Sequence, residues 1–254
     1  MEGVTQKILL NKGTVMLVDD EIEKGWGSIF SKLCSNQKFI PFGESFKGKE
    51  TSEEIVKFTV ENVKAELPDV LILDLILSDN DFTENRSPAD FTGYKILKEV
   101  KEFNKGIQVI VISATNKIWN YLELQKAGAD GFIMKESPEQ SQDINFTKLA
   151  ISQLYSQIDL SICKKYLKDI VNLTTPIIEG FKCRIDKTHH GDDTAFMRKI
   201  ISSFDIAFEL LKKGNEDKKY FNLAYITYYQ IIEDFANRRS EEHTSELQSL
   251  AYLV

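Results

Sequence analysis

Two tetrapeptides in the first half of the chain, Val70–Leu73 (VLIL) and Val109–Ile112 (VIVI), are apolar at every position. A strand with one wet face alternates apolar and polar residues. A continuous apolar run of strand length therefore belongs to a strand buried on both faces. Further strand-length runs occur at Thr14–Val18, Phe39–Phe42 and Gly131–Met134, and the VIVI run extends to Ser113. Helical patterns lie between them, at about 23–33, 52–64, 93–103 and 118–127. In 52–64, Ile55, Val56, Val60 and Val63 make a one-sided stripe, with Ser52 as the expected N-cap and Pro68 as the stop. Five strand–helix repeats predict an α/β fold built on a doubly wound parallel sheet.

After Pro138 no further strand pattern appears. Residues 146–171 read as helix with one break. Met197, Ile200, Ile201, Phe204, Ala207, Phe208 and Leu211 form one helical stripe. A second comprises Phe221, Ala224, Tyr225, Tyr228, Ile231, Ile232 and Phe235. The short connector Lys213–Asp217 predicts that these two helices pair as an αα-hairpin. The expected organisation is an α/β domain over 1–157 followed by a small all-α domain over 158–238. The remainder, 239–254, is set aside. Its segment Arg239–Ser249 (RSEEHTSELQS) resembles a sequencing adapter translated in frame, which leads us to expect a longer natural chain.

Composition narrows the function classes. The net charge of −7 is spread as 18 basic against 24 acidic residues in 1–157 and 13 against 12 in 158–238. Neither part has the basic footprint of a nucleic-acid binder. No apolar run approaches a membrane span and no signal peptide is visible, so no membrane association is expected. Three scattered cysteines (Cys34, Cys163, Cys183) suit a reducing cytoplasm and make neither a disulfide framework nor a CxxC metal site.

The chemistry-bearing residues fall at strand ends. Asp19 and Asp20 follow the first strand, Asp74 follows VLIL, Ser113 ends the fourth strand and Lys135 the fifth. In a doubly wound sheet these positions share one edge, beside the switch in strand order where ligands bind. Alone, each is ordinary: a turn aspartate, a helix cap, a solvated lysine. Together, three crowded carboxylates call for a hard divalent cation, and Mg²⁺ suits one or two carboxylates with water and phosphate oxygens. A carboxylate beside such an ion can attack a phosphoryl group and become an aspartyl phosphate. Lys135 then supplies a point charge and Ser113 a hydrogen bond to the transferred group, while small Ala114 leaves a path for the donor. By contrast, His189–Asp193 (HHGDD) lacks ligand spacing and reads as a polar interhelical loop.

Residues 13–135 resemble the receiver domain of bacterial two-component response regulators, through TVMLVDDE, PDVLILDL, VIVISAT and AGADGFIMK. The resemblance implies a flavodoxin-like five-stranded sheet in the order 2-1-3-4-5. It implies Mg²⁺ held by Asp19, Asp20, Asp74 and the Ile76 backbone carbonyl, with Asp74 as phosphoacceptor. Ser113, Ala114 and Lys135 would serve the phosphoryl group, and Ser113 and Phe132 would form the conformational switch. A sensor histidine kinase or a small phosphodonor would supply the phosphoryl group. No enzyme activity beyond self-phosphorylation and autodephosphorylation is expected. The helical domain would bind a protein partner or a second copy. Two features depart from the family. Lys135 is followed by Glu136 and Ser137, with Pro138 later, and an acidic insertion occupies about 76–92. That insertion reads either as a cover for the site or as a disordered surface loop. The rival to a phosphoacceptor is a phosphorylation-independent scaffold.

Overall fold

The structure, a computed structural model, describes residues 12–24, 26–43, 46, 51–78, 81, 87–113, 118–135, 144–187 and 191–251. Five strands, β1 (Thr14–Val18), β2 (Lys38–Phe42), β3 (Val70–Asp74), β4 (Gln108–Ser113) and β5 (Gly131–Met134), form one parallel sheet in the order β2-β1-β3-β4-β5. This is the flavodoxin-like order expected above. The central strands β3 and β4 are buried at every residue, as their unbroken apolar runs require.

Strand alternation sorts the core into two layers. Met16, Val18, Leu71, Leu73, Val109 and Val111 face α2 (Ser52–Glu66), α3 (Thr92–Phe103) and Leu124 of α4 (Ile118–Lys126). Val15, Leu17, Val70, Ile72, Ile110 and Ile112 face Phe30 of α1 (Trp26–Leu33) and Leu154, Ile158 and Ile162 of α5 (Ile144–Cys163). The stripe Ile55, Val56, Val60 and Val63 is buried as its spacing predicts. The α2 cap is one residue earlier than expected. Thr51 accepts from the Glu54 amide at 3.2 Å in a capping box, and Ser52 is instead buried inside the first turn.

Two compact units divide at Val171/Asn172, within α6 (Tyr166–Lys187), and not at 157/158. The first unit extends further because the chain past residue 157 still packs on the sheet. Ile158 and Ile162 fill its second core layer. Beyond them, Lys168 Nζ lies 2.5 Å from Asp69 and donates to the Leu67 carbonyl at 2.9 Å, while the Asn104 amide donates to the Lys168 carbonyl at 3.3 Å.

In the second unit α7 (Gly191–Gly214) and α8 (Lys219–Ala251) pair as an antiparallel hairpin. Ile200, Phe204 and Ile231 form its small core, with Ile178, Phe181, Phe196 and Tyr228 packed around them. The stripe expected on α8 is only partly inside. Ala224 and Ile231 are buried, but Tyr225 is 72% and Ile232 65% exposed. At about 100° per residue, the row 224–228–231 faces α7, and the residue after each buried one is turned off it. α8 also runs on to Ala251, through the stretch set aside on sequence. Among the described residues, no helix is long and apolar enough to cross a membrane.

Candidate functional site

Strand order brings the sequence-distant carboxylates together. β1 and β3 are neighbours at the point where the order reverses, so the residues that end them meet at one edge of the sheet. Asp19 is fully buried just past β1. Its amide donates to the Phe42 carbonyl at 3.1 Å, and its Oδ1 accepts from the Glu21 amide at 2.8 Å. Two glycines let the surrounding backbone close in. A Cβ on Gly43 would stand 1.8 Å from the Asp19 carbonyl oxygen, and one on Gly93 would stand 2.2 Å from that of Asp74. Only glycine fits such approaches.

Asp74 ends β3 and is buried. Its Oδ1 accepts from the Ile76 amide at 3.2 Å, which tightens the turn leaving the strand. Carboxylate oxygens of Asp19, Asp20 and Asp74 all lie within 4.8 Å of one another. Lys135, just past β5, reaches across and forms an ion pair with Asp74, and its Nζ lies 2.9 Å from Asp19 Oδ2. The Lys135 amide also donates to the Ser113 carbonyl at 2.8 Å, so the ends of β4 and β5 are fastened together.

Charge explains the protonation tendencies. Burial pushes the Asp74 carboxyl up to about 7; Lys135 opposes that rise and the neighbouring Asp19 adds to it. Asp20 is exposed at its outer edge, yet partial loss of water and the adjacent Asp19 raise its carboxyl. Burial alone would lower the Lys135 ammonium, but Asp74 and Asp19 beside it outweigh that and raise it.

A divalent metal fits this donor set. When all three carboxylates are ionised, one ammonium leaves an excess negative charge of the size that a hard divalent cation neutralises with oxygen ligands. Asp19 Oδ2 is buried, with the Lys135 ammonium 2.9 Å away as its neighbour. That oxygen retains capacity for a ligand bond.

The other expected residues are placed as follows. Ser113 is fully buried at the end of β4. Phe132 is half-buried on β5, packed against the first core layer and edge-on to the half-exposed Tyr121 of α4, with ring centroids 5.9 Å apart. Ile76 follows Asp74 by two residues, with its amide engaged by the carboxylate. Ala114, His189 and His190 lie outside the described residues. Asp193, the end of the HHGDD segment, sits in the first turn of α7 and pairs with Arg238 of α8.

Sequence reading missed Asp81, inside the insertion. It is 2% exposed, and its carboxylate accepts hydrogen bonds from Leu77, Ser78 and Thr92. Leu77 and Ser78 amides donate to Oδ2 at 3.1 Å each, while the Thr92 amide (3.2 Å) and hydroxyl (3.1 Å) donate to Oδ1. The signal was an aspartate among polar loop residues, and nothing local marks its partner eleven residues on.

No protein-family model matches the chain, and no curated protein matches it in sequence. Among solved structures, its N-terminal part is similar to receiver domains of response regulators. One is a LuxR-family two-component response regulator from Aurantimonas, at 15% identity over 57% of this chain and 86% of that one, with a TM-score of 0.37. Another is the receiver domain of a modulated diguanylate cyclase from Desulfovibrio desulfuricans, at 14% identity over 62% of this chain and 98% of that one, TM-score 0.40. A third is the Mn²⁺-bound response regulator Rcp1, at 14% identity over 57% of this chain and 92% of that one, TM-score 0.38. At these levels of likeness, the chemistry of this site has to be read from its own residues.

Proposed function

We propose that the first unit is a phosphoacceptor receiver of a two-component relay, with Asp74 as the residue that takes the phosphoryl group. The observation that carries this reading is the shared cation: Lys135 pairs with Asp74 and Asp19 where carboxylates from β1 and β3 converge. A buried carboxylate with an ammonium and two further acidic groups beside it is equipped to receive a phosphoryl group. It has little use for a purely structural ion pair, which would be better balanced.

In this reading Asp19, Asp20, Asp74 and the Ile76 carbonyl hold Mg²⁺. The ion would neutralise the carboxylates and offset charge on the phosphoryl oxygens. An Asp74 carboxylate oxygen attacks phosphorus, forming an O–P bond. The P–N bond of a kinase phosphohistidine, or the P–O bond of acetyl phosphate, breaks, and its electron pair leaves on imidazole or acetate. Lys135 then pairs with a phosphoryl oxygen and the Ser113 hydroxyl donates to another, with small Ala114 leaving the approach open. Phosphorylation biases Ser113, Phe132 and the β4–α4–β5 face toward a second state, and a partner that binds that state better reads the signal. The helical unit supplies the surface for a protein partner or a second copy. Catalysis is confined to self-phosphorylation and hydrolysis, nucleic acid is not the partner of these residues, and the compartment is the cytoplasm.

The test is incubation with Mg²⁺ and acetyl phosphate, followed by intact mass, beside an Asp74→Ala control. Gain of one phosphoryl group, absent in the control, supports the reading. A folded protein that gains none and binds no Mg²⁺ at millimolar concentration is instead the phosphorylation-independent scaffold.

A further inference from the structure

Among the described residues, Asp81 is a buried carboxylate that the proposed chemistry leaves without a task. It belongs to the 76–92 insertion, and it accepts hydrogen bonds from both ends of that insertion. At the near end it holds Leu77 and Ser78, the residues directly after Ile76. At the far end it holds Thr92, the first residue of α3. Phe91, at the N-cap position of α3, makes no side-chain cap hydrogen bond, so Asp81 provides the missing acceptor from eleven residues upstream.

The link continues toward the phosphoacceptor. Thr92 is fully buried, and its hydroxyl lies 2.8 Å from that of Ser52 at the start of α2, so α2 and α3 are joined at the same point. Because Thr92 donates its hydroxyl proton to Asp81, Ser52 is the donor in that second bond. The next residue, Gly93, donates its amide to the Leu75 carbonyl at 3.1 Å and lies against the Asp74 carbonyl, with no room for a side chain. The Asp74–Leu75–Ile76 turn is thus held at Leu75 by Gly93 and just beyond Ile76 by Asp81.

We propose that Asp81 is a positioning residue of the phosphoacceptor site. By tying Leu77 and Ser78 to Thr92, it holds the Asp74–Ile76 turn in the geometry that binds the divalent cation and presents Asp74 to the donor. This rests on the receiver reading above and goes beyond it, since it gives the insertion a task at the site. Groups that orient metal ligands without touching the metal typically account for about 10- to 100-fold in affinity.

The test compares the full chain with Asp81→Ala, Asp81→Asn and Thr92→Val. The last two keep side-chain shape, and they carry the test if Asp81→Ala does not fold. For each folded variant, Mg²⁺ affinity is measured by calorimetry, urea midpoint without metal, and acetyl phosphate incorporation at equal metal saturation. We expect Mg²⁺ affinity to fall about tenfold in Asp81→Asn and less in Thr92→Val, with incorporation slowed at equal saturation. A role in stability alone would lower the urea midpoint and leave Mg²⁺ affinity and incorporation within twofold of the parent, and that result overturns the proposal. If the parent chain itself binds no Mg²⁺, the receiver reading fails first and takes this proposal with it. If the parent binds and the variants bind equally, only the role of Asp81 falls.

Discussion

Lys135 and Asp74 form a buried ion pair across the strand that separates them: one ends β3, the other follows β5, and β4 lies between. The same ammonium lies 2.9 Å from Asp19 Oδ2, so one cation serves carboxylates from two strands. A phosphoryl group on Asp74 would bring its own charge and compete for that ammonium. Under the proposed function, the pair would be a resting arrangement whose partner changes on phosphorylation.

Replacing Lys135 by alanine removes the only cation recorded against Asp19 and Asp74 among the described residues. Breaking a buried pair typically costs about 3–5 kcal/mol. Here the loss is expected to be largest at pH 8 and smaller at pH 5, where Asp74, with its carboxyl pushed up to about 7, can take a proton. Urea unfolding of Lys135→Ala without metal at the two pH values measures this. Incorporation from acetyl phosphate should fall on the order of 100-fold, as when one preorganised donor is lost.

Asp74 gives the metal-free protein a pH dependence of defined sign. Its folded carboxyl is raised from 3.8 to about 7. Below the unfolded value both states are protonated and nothing is lost. As pH rises between the two values the unfolded chain releases its proton first, so stability falls and levels off above the folded value. Asp74→Asn should therefore be more stable than the parent at pH 8 without metal, by up to about 4 kcal/mol, with the gap closing near pH 4. Added Mg²⁺ should stabilise the parent at pH 8 far more than the variant, by about 2.7 kcal/mol at 100 times its dissociation constant. A parent whose stability rises between pH 4 and 8 contradicts this.

The sheet was legible because its signal is strong. VLIL and VIVI are buried on both faces, and all five strands lie within a residue of their expected ends. The edge of the sheet was legible too, since residues that end strands β1, β3, β4 and β5 must meet once the order is set. Asp81 and the Thr51 cap were not. Asp81 caps a helix that begins eleven residues later, and Ser52 gives up the cap because burial against Thr92 suits it better. The division at Val171 escaped because Lys168 is anchored by Asp69 and Leu67, whose positions only the folded sheet defines. On α8 the apolar row was readable, but which of its residues face α7 depends on the hairpin's rotation. That is why Tyr225 and Ile232 lie outside.

Gly93→Ala tests the closeness of α3 to Asp74. The added methyl would stand 2.2 Å from the Asp74 carbonyl oxygen and 2.7 Å from Leu75 Cα, so backbone must move. A destabilisation of roughly 1–3 kcal/mol is expected. Mg²⁺ affinity should fall with it, because the displaced atoms belong to the ligand turn. Thermal unfolding and calorimetric titration together decide this, and retention of both values would show that the turn relaxes freely.

Ser113→Ala separates metal binding from phosphoryl binding. Ser113 is buried at the end of β4, and its carbonyl accepts the Lys135 amide, a contact that the alanine variant keeps. The variant should keep Mg²⁺ affinity within about twofold while incorporation slows roughly tenfold, the loss of one hydrogen bond to a charged group.

The central claim is that Asp74 is the group phosphorylated. The most direct measurement is to treat the chain with Mg²⁺ and acetyl phosphate, reduce the acyl phosphate with borohydride, and map the resulting homoserine by peptide mass spectrometry. The account predicts homoserine at position 74, dependent on Mg²⁺ and absent when the protein is unfolded before treatment. Homoserine at another aspartate, or none from a folded, metal-bound protein, would contradict it.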